Sequence, residues 1–377
     1  MSALPEKPHV FDVAIVGAGL TGIFAGWTSV QRQLSTVIID SRMIPGSGTT
    51  LTSGGSIGLQ DKTSDSTIAL ALESMEVYRT LQGIRQGAFD SLIHWCGGVV
   101  PYWTDEDRTP GLELSARLER WGIAVQDMSA SDLQKLAPAM SHKLKGAFYC
   151  PHEGRINPAQ LASAMHSSLL RRFPRLIQWR PLSTVQSITI DGANYVLKIR
   201  GPNGVHEYVA GSVILAAGSY STETVWPVGR QIYPRRGIIL TYDALESMDF
   251  VMHGTSYISS RDEVEIGPRV AFSFEQRDHL WRIGSSRELI GRSDRQVDRI
   301  VRRIRIEAER HIPALRNKTI RRVDICFRPF EPARTDFVSV GDTPYDRVVA
   351  INGQEGEGMT LAPALARRAV DFLWPPA

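Results

Sequence analysis

Residues 12–40, "DVAIVGAGLTGIFAGWTSVQRQLSTVIID", restrict how the chain can begin to fold more tightly than any other stretch. Val13 to Val16 reads as a short, wholly apolar strand, an amphipathic helix runs to about Gln33, and Val37 to Ile39 forms a second strand closed by Asp40. Between the first strand and the helix lies Gly17-Ala18-Gly19-Leu20-Thr21-Gly22, a G-x-G-x-x-G turn. In such a βαβ unit Gly17 makes the tight turn, Gly19 lets backbone approach a pyrophosphate, and Gly22 lets the helix pack against the strand. Helix N-terminal amides then hold the phosphates. Asp40, 18 residues after Gly22, stands where a carboxylate accepts both ribose hydroxyls and repels a 2′-phosphate. The unit predicts an adenine-dinucleotide site, and the alternative is a chance Gly-rich turn.

A chain of 377 residues exceeds the usual size of one domain, so two are expected. Hydrophobic residues make up 42% and charged residues 22%, with no low-complexity tract or short repeat, which excludes disordered and solenoid classes. Net charge is only +3, and the one basic run, "RSDRQVDRIVRRIRIEAERHI", reads as a solvated helix face, so nucleic acid is not suggested. Cys96, Cys150 and Cys326 lie far apart and supply no CxxC, metal pair or disulfide framework, which fits a reducing compartment. The N-terminus lacks a basic leader region and no stretch reaches the ~18 apolar residues needed to cross a bilayer. The expectation is a cytoplasmic protein with no direct membrane insertion and no metal site.

After Asp40 the chain does not enter another βα unit but runs through "SRMIPGSGTTLTSGGSIG", with no helix pattern. Thr49-Thr50-Leu51-Thr52-Ser53-Gly54-Gly55 resembles the A-S-x-x-S-G-G segment of flavoenzymes related to D-amino-acid oxidase, glycine oxidase and sarcosine oxidase. "GAFYCPHEGRINPAQLASAM" is similar to that family's next segment, with Pro158 at a helix start where its missing N–H is harmless. "STVQSITIDGANYVLKIRG" reads as a hairpin turning at Asp191-Gly192, and "GSVILAAGSYS" as an apolar strand ending in Ala216-Ala217-Gly218.

The resemblance implies a mixed α/β, glycine oxidase-like fold, with a Rossmann-like FAD-binding domain (1–84, 146–226 and 326–377) and an inserted antiparallel-sheet substrate domain (85–145 and 227–325). It implies non-covalent FAD held by Gly17, Ala18, Gly19, Leu20, Thr21, Gly22, Asp40, Ser41, Arg42, Thr49, Thr50, Ser53, Gly54, Gly55, Val185, Ala217 and Gly218. The ending "GQEGEGMTLAP" adds Gly353, Gly356, Gly358, Met359 and Thr360, the last three offering amides at a helix start to the flavin N1 and C2=O edge. Glu355 and Glu357 would oppose charge there and are expected to point away.

On the substrate side, Cys326-Phe327-Arg328-Pro329 is similar to the family's G-x-R-P, whose arginine clamps the substrate carboxylate over the flavin. A guanidinium fork suits that role, and the competing reading of Arg328 is a strand-end salt bridge. No catalytic base is assigned, because hydride transfer from Cα to flavin N5 does not require one, but Tyr233, Tyr257 and His253 are pocket candidates. Arg235, Arg236, Arg261 and Arg287 would suit a small anionic amine substrate, with plain surface solvation as the alternative. Gly341-Asp342 lacks the following helix of the hydroxylase G-D motif, and that reading is rejected.

The C-terminal wording resembles most the FAD-bearing subunits of heteromeric opine oxidases, D-hydroxyproline dehydrogenases and hydrogen cyanide synthase, with Gln354 in place of their histidine. This implies oxidation of the C–N bond of an amino acid or opine-type secondary amine, with electrons leaving to an NAD/FAD-type flavoprotein subunit and a small iron–sulfur subunit. Some relatives hold FMN at a subunit interface through a histidine near the segment matching Arg155-Ile156-Asn157; none occupies it here, which leaves only non-covalent FMN. The alternatives are a stand-alone amino-acid or glycine oxidase releasing hydrogen peroxide, and a non-catalytic flavin-binding subunit.

Overall fold

A computed structural model describes residues 10–84, 89–221, 231–259, 269–332, 337–340 and 346–376. The chain divides into two compact units, one of residues 1–51, 159–233 and 328–377, the other of 52–158 and 234–327. Residues 52–84 and 146–158, expected with the nucleotide-binding domain, therefore group with the second unit.

The first unit is built around Val10–Val16, a strand whose last four residues are fully enclosed. It pairs in parallel with Thr36–Ile39 on one side (Val13 opposite Thr36) and with the long strand Gly204–Leu215 on the other (Val16 opposite Leu215). Ile177–Arg180 extends the sheet beyond Thr36–Ile39, and Val348–Ile351 joins the end of Gly204–Leu215, both in parallel. The first half of Gly204–Leu215 instead carries an antiparallel meander with Asn194–Gly201 and Thr184–Asp191. That hairpin turns as expected, with Gly192 at φ 60° and Asp191 opposite Asn194. Thr36–Ile39, Val348–Ile351 and the paired end of Gly204–Leu215 are enclosed and read as nearly unbroken aliphatic and β-branched runs, whereas the outer strand Ile177–Arg180 is only half-buried.

Helix Leu20–Gln31 lies on this sheet close enough that a methyl on Gly26 would stand 2.7 Å from Ile38 Cδ1. The last helix, Gly358–Leu373, packs against it, and Arg32 ties the two by an ion pair to Asp371 and a bond to the Trp374 carbonyl. The expected helix at Pro158 is present as Pro158–Arg172. By contrast Thr49–Thr52, read above as irregular, forms a single helical turn.

The second unit contains most of a mainly antiparallel sheet in the order Arg322–Phe330, Tyr233–Asp243, Leu280–Arg287, Arg269–Arg277, Val251–His253, Gly98–Tyr102, Gly146–Cys150, Gln126–Ser129. Its apolar face packs on helix Val297–His311, the arginine-rich run. Ile300, Ile304, Ala308 and His311 recur at helical spacing and are buried, while Arg299, Arg302, Arg303 and Arg310 stand on the solvated side. Gly341 and Asp342 lie outside the described residues. Among the described residues no helix is long and apolar enough to cross a membrane.

His311 closes that helix inside the core. Its ring stacks on Phe272 at 3.9 Å and meets Trp103 edge-on, and its Nδ1 lies 2.9 Å from the Glu307 carbonyl. Burial pushes the imidazole down from its ordinary 6.5 to about 4, so the fold requires it neutral. The unfolded chain takes up this proton more readily, so stability is full above the ordinary value and is lost as pH falls toward the folded one. The unfolding temperature should drop across that acidic window. His311→Phe should flatten the drop at a cost of about 1 kcal/mol for the lost carbonyl contact; an unaltered slope in the variant would remove His311 as its source.

Candidate functional site

The strand Val10–Val16 delivers the chain to Gly17, which turns with φ 107°. A side chain there would meet the Ala216 carbonyl at 2.4 Å, and one on Gly22 would meet the Gly17 carbonyl at 1.9 Å. Both glycines are therefore required by packing. Gly19 is different: a methyl there would meet only Thr50 Oγ1, at 3.6 Å, so its face is open. Helix Leu20–Gln31 begins beside it with no side-chain cap and no acidic residue in its first turn. Such an uncapped N-terminus, with open backbone before it, suits a pyrophosphate.

Surrounding loops converge on the same turn. Gly46 N donates to the Ala18 carbonyl and Leu20 N to Thr50 Oγ1. Asp40 accepts from Ala18 N at 2.6 Å and, through its other oxygen, from Arg42 N at 2.7 Å. Its carboxylate is thus aimed by backbone donors, each oxygen keeping a second lone pair for a ribose hydroxyl. Arg42 lies over the ring of Tyr220, at the end of the short helix Gly218–Tyr220. Ala217 and Gly218, the latter at φ 56°, follow directly on the strand end against which Gly17 turns. Val185 is buried in the meander, at the bulge in its pairing, and Ser41 and Thr21 flank the cradle. These residues fit the FAD that the sequence implies.

Within the second unit, Thr52, Ser53 and Gly54 are held by two arginines that sequence reading missed, Arg282 buried and Arg277 half-buried. Arg282 Nη2 donates to the Thr52 and Ser53 carbonyls at 3.1 Å, and Arg277 Nη2 to that of Gly54 at 2.9 Å. Glu275 joins the two cations, 2.8 Å from Arg277 and 3.0 Å from Arg282. Burial pushes its carboxyl upward, opposed by both guanidinium groups. Cations on successive carbonyls polarise those peptides and strengthen their N–H groups as donors.

Of the pocket candidates, His253 and Tyr257 come together, stacked at 4.6 Å, with Arg287 over Tyr257 at 4.4 Å and bonded to its carbonyl. Tyr233, in the first unit, is 39% exposed at a strand start. Surface solvation fails for Arg235, Arg236 and Arg287, all buried. Arg236 is nevertheless structural: it grips Glu288 through two bonds of 3.1 and 2.6 Å and donates to the Ser293 and Arg295 carbonyls. Arg261 lies outside the described residues. A further buried cluster went unread: Lys62 pairs with Asp61, while Glu153 accepts from Leu59 N and Gln60 N, and burial pushes the Glu153 carboxyl up to about 7.

In the first unit, Arg328 is 7% exposed near the end of its strand, and its Nη1 donates to Glu355 Oε1 at 3.0 Å. The strand-end ion pair weighed for this arginine is present. Glu355 sits in the loop that Gly353 opens with φ 78°, before helix Gly358–Leu373. That helix also starts without a side-chain cap, at Gly358, Met359 and Thr360, whose N–H groups make up its first turn, while the Gly356 N–H just before it donates to Glu355. Gln354, 4% exposed, keeps its Nε2 buried without a hydrogen bond among the described residues. No cluster fit to hold a metal occurs among them either.

The close contact at Gly22 yields a direct test. Gly22→Ala forces the helix off the turn, and the purified variant should lose its bound flavin, read as flavin absorbance per protein; full retention would remove the turn from the cofactor site.

The family described as "DAO: FAD dependent oxidoreductase" matches residues 12–372. The glycine oxidase of Geobacillus kaustophilus (strain HTA426) is 26% identical over 242 residues, a match spanning 61% of this chain and 60% of that relative. The solved glycine oxidase from Geobacillus kaustophilus superposes with a TM-score of 0.81 at 20% identity, covering 97% of this chain and 95% of the other. L-proline dehydrogenase from P. horikoshii does so at 0.82 and 14% identity (98% and 94% covered), and iminodiacetate oxidase from Chelativorans sp. BNC1 at 0.78 and 19% (97% and 96%). At such identities the likeness establishes the shared fold.

Proposed function

Because the chain belongs to the FAD-dependent oxidoreductase family that residues 12–372 match, we propose that it oxidises the C–N bond of an amino acid, an opine-type secondary amine being favoured. Bound FAD would supply the two-electron acceptor for the substrate Cα–H. The glycine turn and the start of helix Leu20–Gln31 would hold its pyrophosphate, Asp40 its ribose, and the first turn of Gly358–Leu373 would offer donors to an electron-rich ring edge. The observation that carries the reading is Arg328, a buried guanidinium held near its strand end; its fork would receive the substrate carboxylate and orient the carbon to be oxidised.

The reading extends to a complex. The wording "GQEGEGMTLAP" supports a catalytic subunit that passes electrons to a flavoprotein and a small iron–sulfur partner, with non-covalent FMN at an interface between them. The cysteines Cys96, Cys150 and Cys326 offer no cluster motif, so iron–sulfur ligands would come from the partner. The second reading, a stand-alone D-amino-acid or glycine oxidase releasing hydrogen peroxide, is favoured by the glycine oxidase relative. A non-catalytic flavin-binding subunit is the reading of another class.

Purified with whatever co-elutes, the protein should be yellow and should bleach anaerobically with opines, turning over with an artificial electron acceptor. Bleaching by glycine or simple D-amino acids alone, with rapid oxygen consumption, would replace the opine reading by the oxidase. Arg328→Ala should lower kcat/KM roughly a hundredfold; unchanged turnover would remove the carboxylate role.

A further inference from the structure

Glu355 is fixed by its own surroundings and not by Arg328 alone. Its backbone N–H donates to the Pro329 carbonyl at 2.9 Å, which ties it to the residue after the arginine. Its Oε2 accepts from Gly356 N at 2.7 Å, leaving Oε1 on Arg328 Nη1. The residue holds a left-handed backbone, φ 44°, that a non-glycine adopts at a cost. Arg328 and Glu355 are 7% and 8% exposed, so their charges face each other with little water between.

We propose that Glu355 is the built-in counter-ion of Arg328, a positioning residue that makes the site select a carboxylate carried on a cationic amine. The inference rests on the reading that Arg328 receives the substrate carboxylate. A bare buried arginine would take any carboxylate, because the ligand would cancel its charge. Here the arginine is already cancelled. A carboxylate that joins the pair leaves one excess negative charge in a site shielded from water, which is costly unless a positive group on the same ligand offsets it. Glu357, buried two residues on, is a second carboxyl in this loop and adds no positive charge. A zwitterionic amino acid or N-substituted amino acid meets the requirement, whereas a carboxylate of the same shape without the amine does not.

Glycine betaine and 3,3-dimethylbutanoate test this directly, having nearly the same shape and differing in the charge of the head group. Each is titrated into the FAD-loaded protein and read by the perturbation of the flavin absorbance, with no turnover needed. The wild type should prefer the betaine by about tenfold or more. In Glu355→Gln that preference should fall to about twofold or less, chiefly because the uncharged carboxylate binds more tightly. Equal binding of both probes by the wild type overturns the proposal, as does a preference that survives Glu355→Gln; Glu355→Ala gives the same reading should Glu355→Gln fail to hold flavin. Arg328→Ala separates the underlying reading: unchanged betaine affinity there would remove Arg328 as the carboxylate site, whereas lost affinity together with a Glu355-independent preference would remove only the role of Glu355.

Discussion

The first unit depends on one close contact, that of the Gly17 turn with the end of strand Gly204–Leu215. A Cβ at Gly17 would stand 2.4 Å from the Ala216 carbonyl, so only a residue without a side chain lets Val10–Val16 run in register between its two parallel neighbours. Gly22 repeats the requirement one turn later, bringing helix Leu20–Gln31 down onto the strand. The open face at Gly19 and the uncapped helix start are what remain after those two contacts are made. A phosphate-sized opening is thus a by-product of packing, and the chemistry follows from where backbone is left bare.

Much of this was legible because it is local. The turn, the helix, the second strand and Asp40 fall within 29 consecutive residues, and periodicity with glycine placement fixes them without reference to the rest of the chain. What was not legible was set by distance in sequence. Arg236 meets Glu288 across 52 residues and Arg282 reaches Thr52 across 230, and neither partner carries a local signature. Residues 52–84 group by contacts with the second unit for a related reason, since hydroxyl and glycine content says what a loop can approach but not which sheet it packs with. The helical turn at Thr49–Thr52 was hidden by residues of weak helix preference that tertiary contacts override.

The charged residues show the limit most clearly. Read one at a time, Arg235, Arg236 and Arg287 were as well explained by solvent as by substrate, yet all three are enclosed. Enclosed charge must be answered by a carboxylate, a carbonyl or a ring, and the second unit answers it with Glu275, Glu288, the loop carbonyls and Tyr257. Arg328 and Glu355 follow the same rule in the first unit. A family motif can place an arginine, but the anion that tempers it lies 27 residues away and has to be seen.

The order of the pieces along the chain has its own consequence. The first unit draws on three separated segments, and its parallel strand Val348–Ile351 and closing helix Gly358–Leu373 belong to the last of them. Helix Leu20–Gln31, made well before it, waits for that helix to cover it. During synthesis the second unit, interrupted only once, can gather its segments before the nucleotide unit can close. An apolar helix therefore stays uncovered while the more than 300 residues between it and Gly358–Leu373 are made, an interval in which its face is open to aggregation.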